Sequence, residues 1–116
     1  MNNPIEEKSF GFAVRIVKLS RYLNEQKNEF VLSKQILRSG TSIGANIAEA
    51  QQAQSDADFI SKMNIALKEA AETKFWLRLL EATDYLSKAE TQSILAECIE
   101  LEKILYSIVR TSKSKQ

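Results

Sequence analysis

A chain of 116 residues with a formal charge of +1, no histidine, one cysteine and one proline falls outside several classes at once. Its length fits a single domain that can bury a core without a metal or disulfide staple, and its near-neutral charge gives no long-range field toward nucleic acid or anionic lipid. Pro4 is the only proline, so nearly the whole chain lacks the strongest helix breaker, which argues for an all-α fold.

Asn3 before Pro4, with Glu6 in the first turn, forms a helix start. The same segment, "MNNPIEEKSF", has acids and no long apolar stretch, so it reads as neither signal peptide nor anchor. A cytoplasmic location without membrane contact is the expectation. Helix 1 is predicted over about residues 4–23, with Ile5, Phe12, Ile16, Leu19 and Leu23 on one face. Phe10, Val14 and Val17 form a second apolar stripe beside the first, and Lys8, Arg15, Lys18 and Tyr22 take the narrower polar side. That is a wider apolar face than one bundle core needs, and the surplus calls for a partner chain.

"NEQKNE" at 24–29 has no apolar residue and reads as a connection. Helix 2 is predicted over about 30–54, with Leu32, Ile36, Ile43, Ile47 and Ala50 toward the core. Ser55 and Asp58 make a capping-box-like start for helix 3, over about 56–82, where Phe59, Met63, Ala66, Ala70, Thr73, Leu77 and Leu80 recur at intervals of four and three. Ser87 caps helix 4, over about 88–111, whose seam is Ile94, Cys98, Leu101, Leu105 and Ile108 before the polar tail "TSKSKQ". A lone cysteine such as Cys98 on that seam reads as a small core hydrophobe. This rhythm with short connections predicts one domain, an antiparallel up-down-up-down four-helix bundle. Leu95, Ile99 and Tyr106 flank the helix 4 seam and, with the Phe10 stripe, are the candidate oligomer interface.

The run Gly40-Thr41-Ser42-Ile43-Gly44 matches G-x-S-x-G, the turn that exposes a nucleophilic serine in α/β-hydrolases. That chemistry needs a preceding strand and a histidine to take the serine proton. The segment before Ser42 has helical periodicity, and there is no histidine. Gly40, Gly44 and Ala48 lie four apart and read as a close-packing stripe, with a bend at Ser39-Gly40 as the other reading. Beside them run Gln35, Arg38, Ser42, Asn46 and Glu49, facing Ile65, Glu69, Glu72, Trp76 and Leu79 of helix 3. The expectation is a buried network in which Arg38 pairs with Glu69 or Glu72 while Ser42 and Asn46 bond across the seam; the alternative is a solvated face with weak pairs.

A di-metal carboxylate site in such a bundle uses Glu-x-x-His on two helices. Glu69-x-x-Glu72 and Glu97-x-x-Glu100 supply only carboxylates, so no metal or other cofactor is expected. For nucleic acid the candidates are Lys8, Arg15, Lys18 and Arg21, with Lys113 and Lys115 of the tail. These are few charges per chain, and an assembly would multiply them.

The run "LRSGTSIGANIAEAQQAQSDADFISKMNIALKEAAETKFWLRLLEATDYLS" resembles the bacterial four-helix-bundle proteins encoded in intervening sequences of 23S ribosomal RNA genes, often called ribosomal-protein-like. Arg38, Ser42, Ile43, Asn46, Ile47 and Glu49 match the helix 2 signature of that family, and Glu69, Glu72 and Trp76-Leu77 match its helix 3 signature. Ala50 stands where the family commonly has glycine. The resemblance implies a ring-shaped homopentamer without enzymatic activity, and a relation to accessory proteins of diversity-generating retroelements. Two functions follow as expectations: an oligomeric RNA-associated or nucleoprotein accessory protein, or a protein-interaction scaffold without nucleic-acid affinity. An enzyme or metal protein is a remote third, and no small-molecule substrate is expected.

Overall fold

The computed structural model describes residues 3–115. It contains four helices, α1 (Pro4–Lys27), α2 (Leu32–Ala50), α3 (Asp56–Ala82) and α4 (Lys88–Ser114), and no strand among the described residues. The Gly40–Gly44 run therefore lies inside a helix. Each helix packs against the next in the chain, and α4 returns beside α1 along a looser seam. Cross-helix partners run in opposite order along every seam. Ser33 meets Ser20 while Gly44 lies beside Ser9, Glu49 meets Lys62 while Arg38 meets Glu69, Glu81 meets Thr91 while Lys74 meets Glu102, and Lys8 meets Glu100 while Tyr22 meets Glu90. Neighbours are thus antiparallel in a bundle 47 Å long.

The helix ends differ from the sequence expectation for local reasons. The polar stretch at 24–27 continues α1 because glutamate, glutamine and lysine are good helix formers. The helix stops at Asn28, which takes the left-handed conformation at φ 52° and donates its N–H to the Leu23 carbonyl. Glu29, read above as part of a featureless connection, caps α2: its carboxylate accepts from the N–H groups of Val31, Leu32 and Ser33 at 3.2, 3.1 and 2.8 Å. The helix consequently starts at Leu32, and Phe30 and Val31 are left exposed in front of it. At its other end α2 stops at Ala50, beyond which the chain turns with Gln51 in the right-handed region. No left-handed residue is needed there, so Ala50 serves as the last helical residue without strain. Ser55 caps α3 by accepting from the Asp58 N–H at 3.1 Å. Ser87 and Glu90 form a full capping box on α4. The tail from Thr111 through Ser114 is helical rather than a polar coil.

The core is one cluster, with Phe12, Ile16, Leu23, Ile36, Ile43, Ile47, Met63, Leu77, Leu80, Leu101 and Leu105 among its fully buried members. Four positions assigned to the core faces are corrected. Ile60 is buried and Phe59 only half-buried, Val109 replaces Ile108, and Leu19 and Leu32 are only partly covered. At 59/60 and 108/109 the apolar run offers two neighbouring candidates, and helix rotation selects one. Small hydroxyls fill the tightest contacts, as where Thr73 Oγ1 donates to Ser39 Oγ at 2.9 Å between α2 and α3. No helix among the described residues is long and apolar enough to cross a membrane.

The close-packing stripe divides into three environments. A Cβ placed on Gly40 would lie 2.7 Å from Ile16 Cγ1 and 2.8 Å from Cγ2, and Ile16 is fully buried with nowhere to move. A Cβ placed on Gly44 would lie 3.3 Å from the Ser9 carbonyl oxygen. Ala48 is exposed and packs against nothing tightly. A Cβ on Gly11 meets no atom within 4 Å. Gly11→Ala is therefore expected to raise stability by about 0.5–1 kcal/mol through helix propensity. Gly40→Ala is expected to lower it, because overpacking costs about 1–3 kcal/mol and outweighs that gain. Urea unfolding midpoints of the two variants moving in the same direction would contradict the close contact.

Candidate functional site

Three surfaces carry the residues singled out by the sequence: the polar rim between α2 and α3, the charged seam between α1 and α4, and two outer apolar grooves.

On the α2/α3 rim, Arg38 Nη1 donates to Glu69 Oε2 at 3.0 Å, and Nη2 donates to Glu72. Trp76 Nε1 donates to the same Glu72 carboxylate at 2.9 Å. Arg38 keeps half of its side-chain surface in water, so the expected burial of this network is corrected: it is a rim over the core. Ser42 and Asn46 do not bond across the seam. The Ser42 hydroxyl donates to the Arg38 carbonyl at 2.7 Å and the Asn46 amide to the Ser42 carbonyl at 2.8 Å, both within α2. Side chains this short reach the preceding turn of their own helix before they reach α3. Glu49 pairs with Lys62 of α3 at 3.0 Å. The Arg38 and Glu49 pairs tie α2 to α3.

The α1/α4 seam changes the reading of the basic stripe. Lys8 pairs with Glu100 at 2.8 Å and Arg15 with Glu97; Arg15 also donates to Ser93 at 3.1 Å. Tyr22, one heptad further, donates to Glu90 at 2.8 Å. Residues 8, 15 and 22 thus form a polar zipper whose charges are met by α4. Lys18 and Arg21 are exposed and carry no ion pair among the described residues.

The apolar surplus lies on the outside. Phe10 is 72% exposed and Val14 39%, while Val17 is half-covered. Phe10 walls a groove of about 420 Å³ between α1 and α2, floored by Ala13, Gly44, Ala45 and Ala48. Tyr106 is 58% exposed and lines a second groove, about 590 Å³, between α3 and α4, with Leu67, Ala71 and Ile99 as its floor. Leu95 is half-buried against the core. The sequence reading missed the α3 contribution to this groove. Its signal was present in Leu67, Ala71 and Lys74 at intervals of four and three outside the core seam.

Cys98 is buried, donates to the Ala70 carbonyl at 3.3 Å, and has its pKa pushed up to about 12, first by burial and then by Glu102. A thiol held so far from the thiolate is a poor nucleophile.

With this geometry in place the comparisons are decisive about kinship. The model of the 23S rRNA-intervening sequence protein family matches residues 1–107. The chain belongs to this family. A crystal structure of a protein of unknown function from the S23 ribosomal protein family, from Bacteroides thetaiotaomicron, is 58% identical, with a TM-score of 0.89. The match covers 90% of this chain and 97% of that one. No curated protein matches.

Two carboxyls, one on the rim and one on the α1/α4 seam, are held in their charged form by their neighbours. Trp76 and then Arg38 hold the Glu72 carboxyl below its ordinary 4.5, and the Ser87 backbone N–H and then the Tyr22 hydroxyl do the same for Glu90. A depressed folded-state pKa contributes stability that is fully present above the unfolded value and lost as pH falls through the folded one. Denaturant midpoints are therefore expected to fall as pH drops below about 4.5, and Glu72→Gln to flatten that fall. An unchanged slope in this variant would remove the rim from the account of acid stability.

Proposed function

We propose that this family member is a non-enzymatic, self-associating building block, whose copies cover one another's outer apolar faces and present the remaining polar surface to another macromolecule. The observation that carries this reading is the exposure of Phe10 and Tyr106 over two apolar grooves. Covering a large apolar side chain contributes about 1.5–3 kcal/mol, so a face with several such residues favours association. A homopentameric ring, with head-to-tail contacts between two different patches, is the proposed assembly.

The absence of enzymatic chemistry is supported by what the candidate nucleophiles do. Ser42 has no histidine partner in the sequence and spends its hydroxyl on a carbonyl, and the Cys98 thiol is buried and protonated. No cofactor or small-molecule substrate enters this reading. A single buried thiol also suits a reducing cytoplasm.

Association with structured RNA or a nucleoprotein is the second reading, favoured by the family's name and by exposed Lys18 and Arg21, which carry no ion pair among the described residues. Lys8 and Arg15 are neutralised by α4 and contribute less to it. The alternative is a scaffold that binds another protein and no nucleic acid.

Sedimentation equilibrium at micromolar concentration is expected to give five times the 13.1 kDa chain mass; a single-chain mass would end the self-association reading. Filter binding to a structured RNA at two salt concentrations separates the two partner classes. Salt-sensitive retention, reduced in a Lys18→Ala/Arg21→Ala variant, supports RNA. No retention at low salt supports the protein scaffold.

A further inference from the structure

The two outer grooves differ in shape and in charge. Around the bundle α1 neighbours α2, α2 neighbours α3, and α3 neighbours α4, so the α1/α2 and α3/α4 seams lie on opposite sides of the molecule. The first carries a ridge, Phe10 and Val14 one turn apart on α1, beside a floor of small residues. The second is the larger hollow, walled by Tyr106.

Charge sorts them further. Glu6 is the charged residue lining the first groove, and Glu7 is exposed beside it. Lys68 and Lys103 line the second. None of these four carries an ion pair among the described residues. Glu102, the acid of the second groove, is already engaged by Lys74 at 2.7 Å.

Resting on the self-association reading above, we propose that the α1/α2 face of one copy docks into the α3/α4 groove of a second copy, with Phe10 and Val14 seated over Leu67, Ala71 and Ile99. Glu6 and Glu7 then approach Lys68 and Lys103. Tyr106 lies against Ala45 and Ala48, whose short side chains leave room for its ring. Either face meeting its own copy would instead set acid against acid or lysine against lysine, with ridge on ridge or hollow on hollow. Like-charge juxtaposition of that kind selects against the self-paired arrangement.

The test uses two full-length variants at exposed positions, Phe10→Asp and Tyr106→Asp, with circular dichroism to establish that each keeps its helices. In sedimentation velocity at micromolar concentration the unaltered chain is expected as an oligomer and each variant alone as a monomer. Mixed one to one, the variants are expected to form a dimer, because the intact groove of the first accepts the intact ridge of the second. A Lys68→Glu/Lys103→Glu change placed in the Phe10→Asp chain is expected to weaken that mixed dimer tenfold or more. Variants that stay oligomeric alone, or a mixture that stays monomeric, would overturn the pairing while leaving self-association standing. A monomeric unaltered chain would overturn both.

Discussion

Seating Ile16 in the notch left by Gly40 fixes the rotation of α1, and the rest of the molecule follows from that contact. Helix α1 carries two apolar stripes, and only one can face the core. With Ile16 against α2 and the Ser9 carbonyl over Gly44, Phe12, Ile16 and Leu23 turn inward and Phe10 and Val14 turn outward. The same rotation brings Lys8, Arg15 and Tyr22 to α4. A glycine that costs helix propensity is thereby tied to three consequences: a tight α1/α2 seam, a polar α1/α4 seam, and an apolar ridge left in water.

A subset of the polar groups ties neighbouring helices together. Arg38 is shared between two acids, one of which also holds Trp76, and Lys8, Arg15, Lys62 and Lys74 each meet a glutamate on a neighbouring helix. Exposed pairs of this kind contribute little to stability individually. They specify which helix faces which, because a bundle with another neighbour order would leave them unmatched. Beside them lie two apolar grooves on opposite sides, bordered by charges of different sign that carry no ion pair among the described residues.

Much of this was legible in the sequence. Intervals of three and four predict four helices in an all-α chain, and the helices are present. The pairing of Arg38 with Glu69 and Glu72 is readable because their spacings put them on facing flanks. Its exposure is not readable, because the depth of a side chain depends on where a third helix lies. For the same reason periodicity cannot choose Ile60 over Phe59 or Val109 over Ile108. Glu29 was missed because its capping role comes from a left-handed Asn28 that redirects the chain, and a polar hexapeptide shows nothing of that geometry. The partners of Lys8 and Arg15 were missed for a simpler reason: Glu97 and Glu100 were weighed as metal ligands and not as the opposite side of a seam.

The claim on which the functional reading turns is that the outward stripe of α1 and the groove of α3 and α4 are covered by other copies in solution. Small-angle X-ray scattering over a dilution series addresses it without altering a residue. A single chain has a Cα radius of gyration of 14.7 Å. At micromolar concentration the expected radius is well above that value, falling toward it on dilution; a radius near 14.7 Å at every concentration would show both faces bare and contradict the claim.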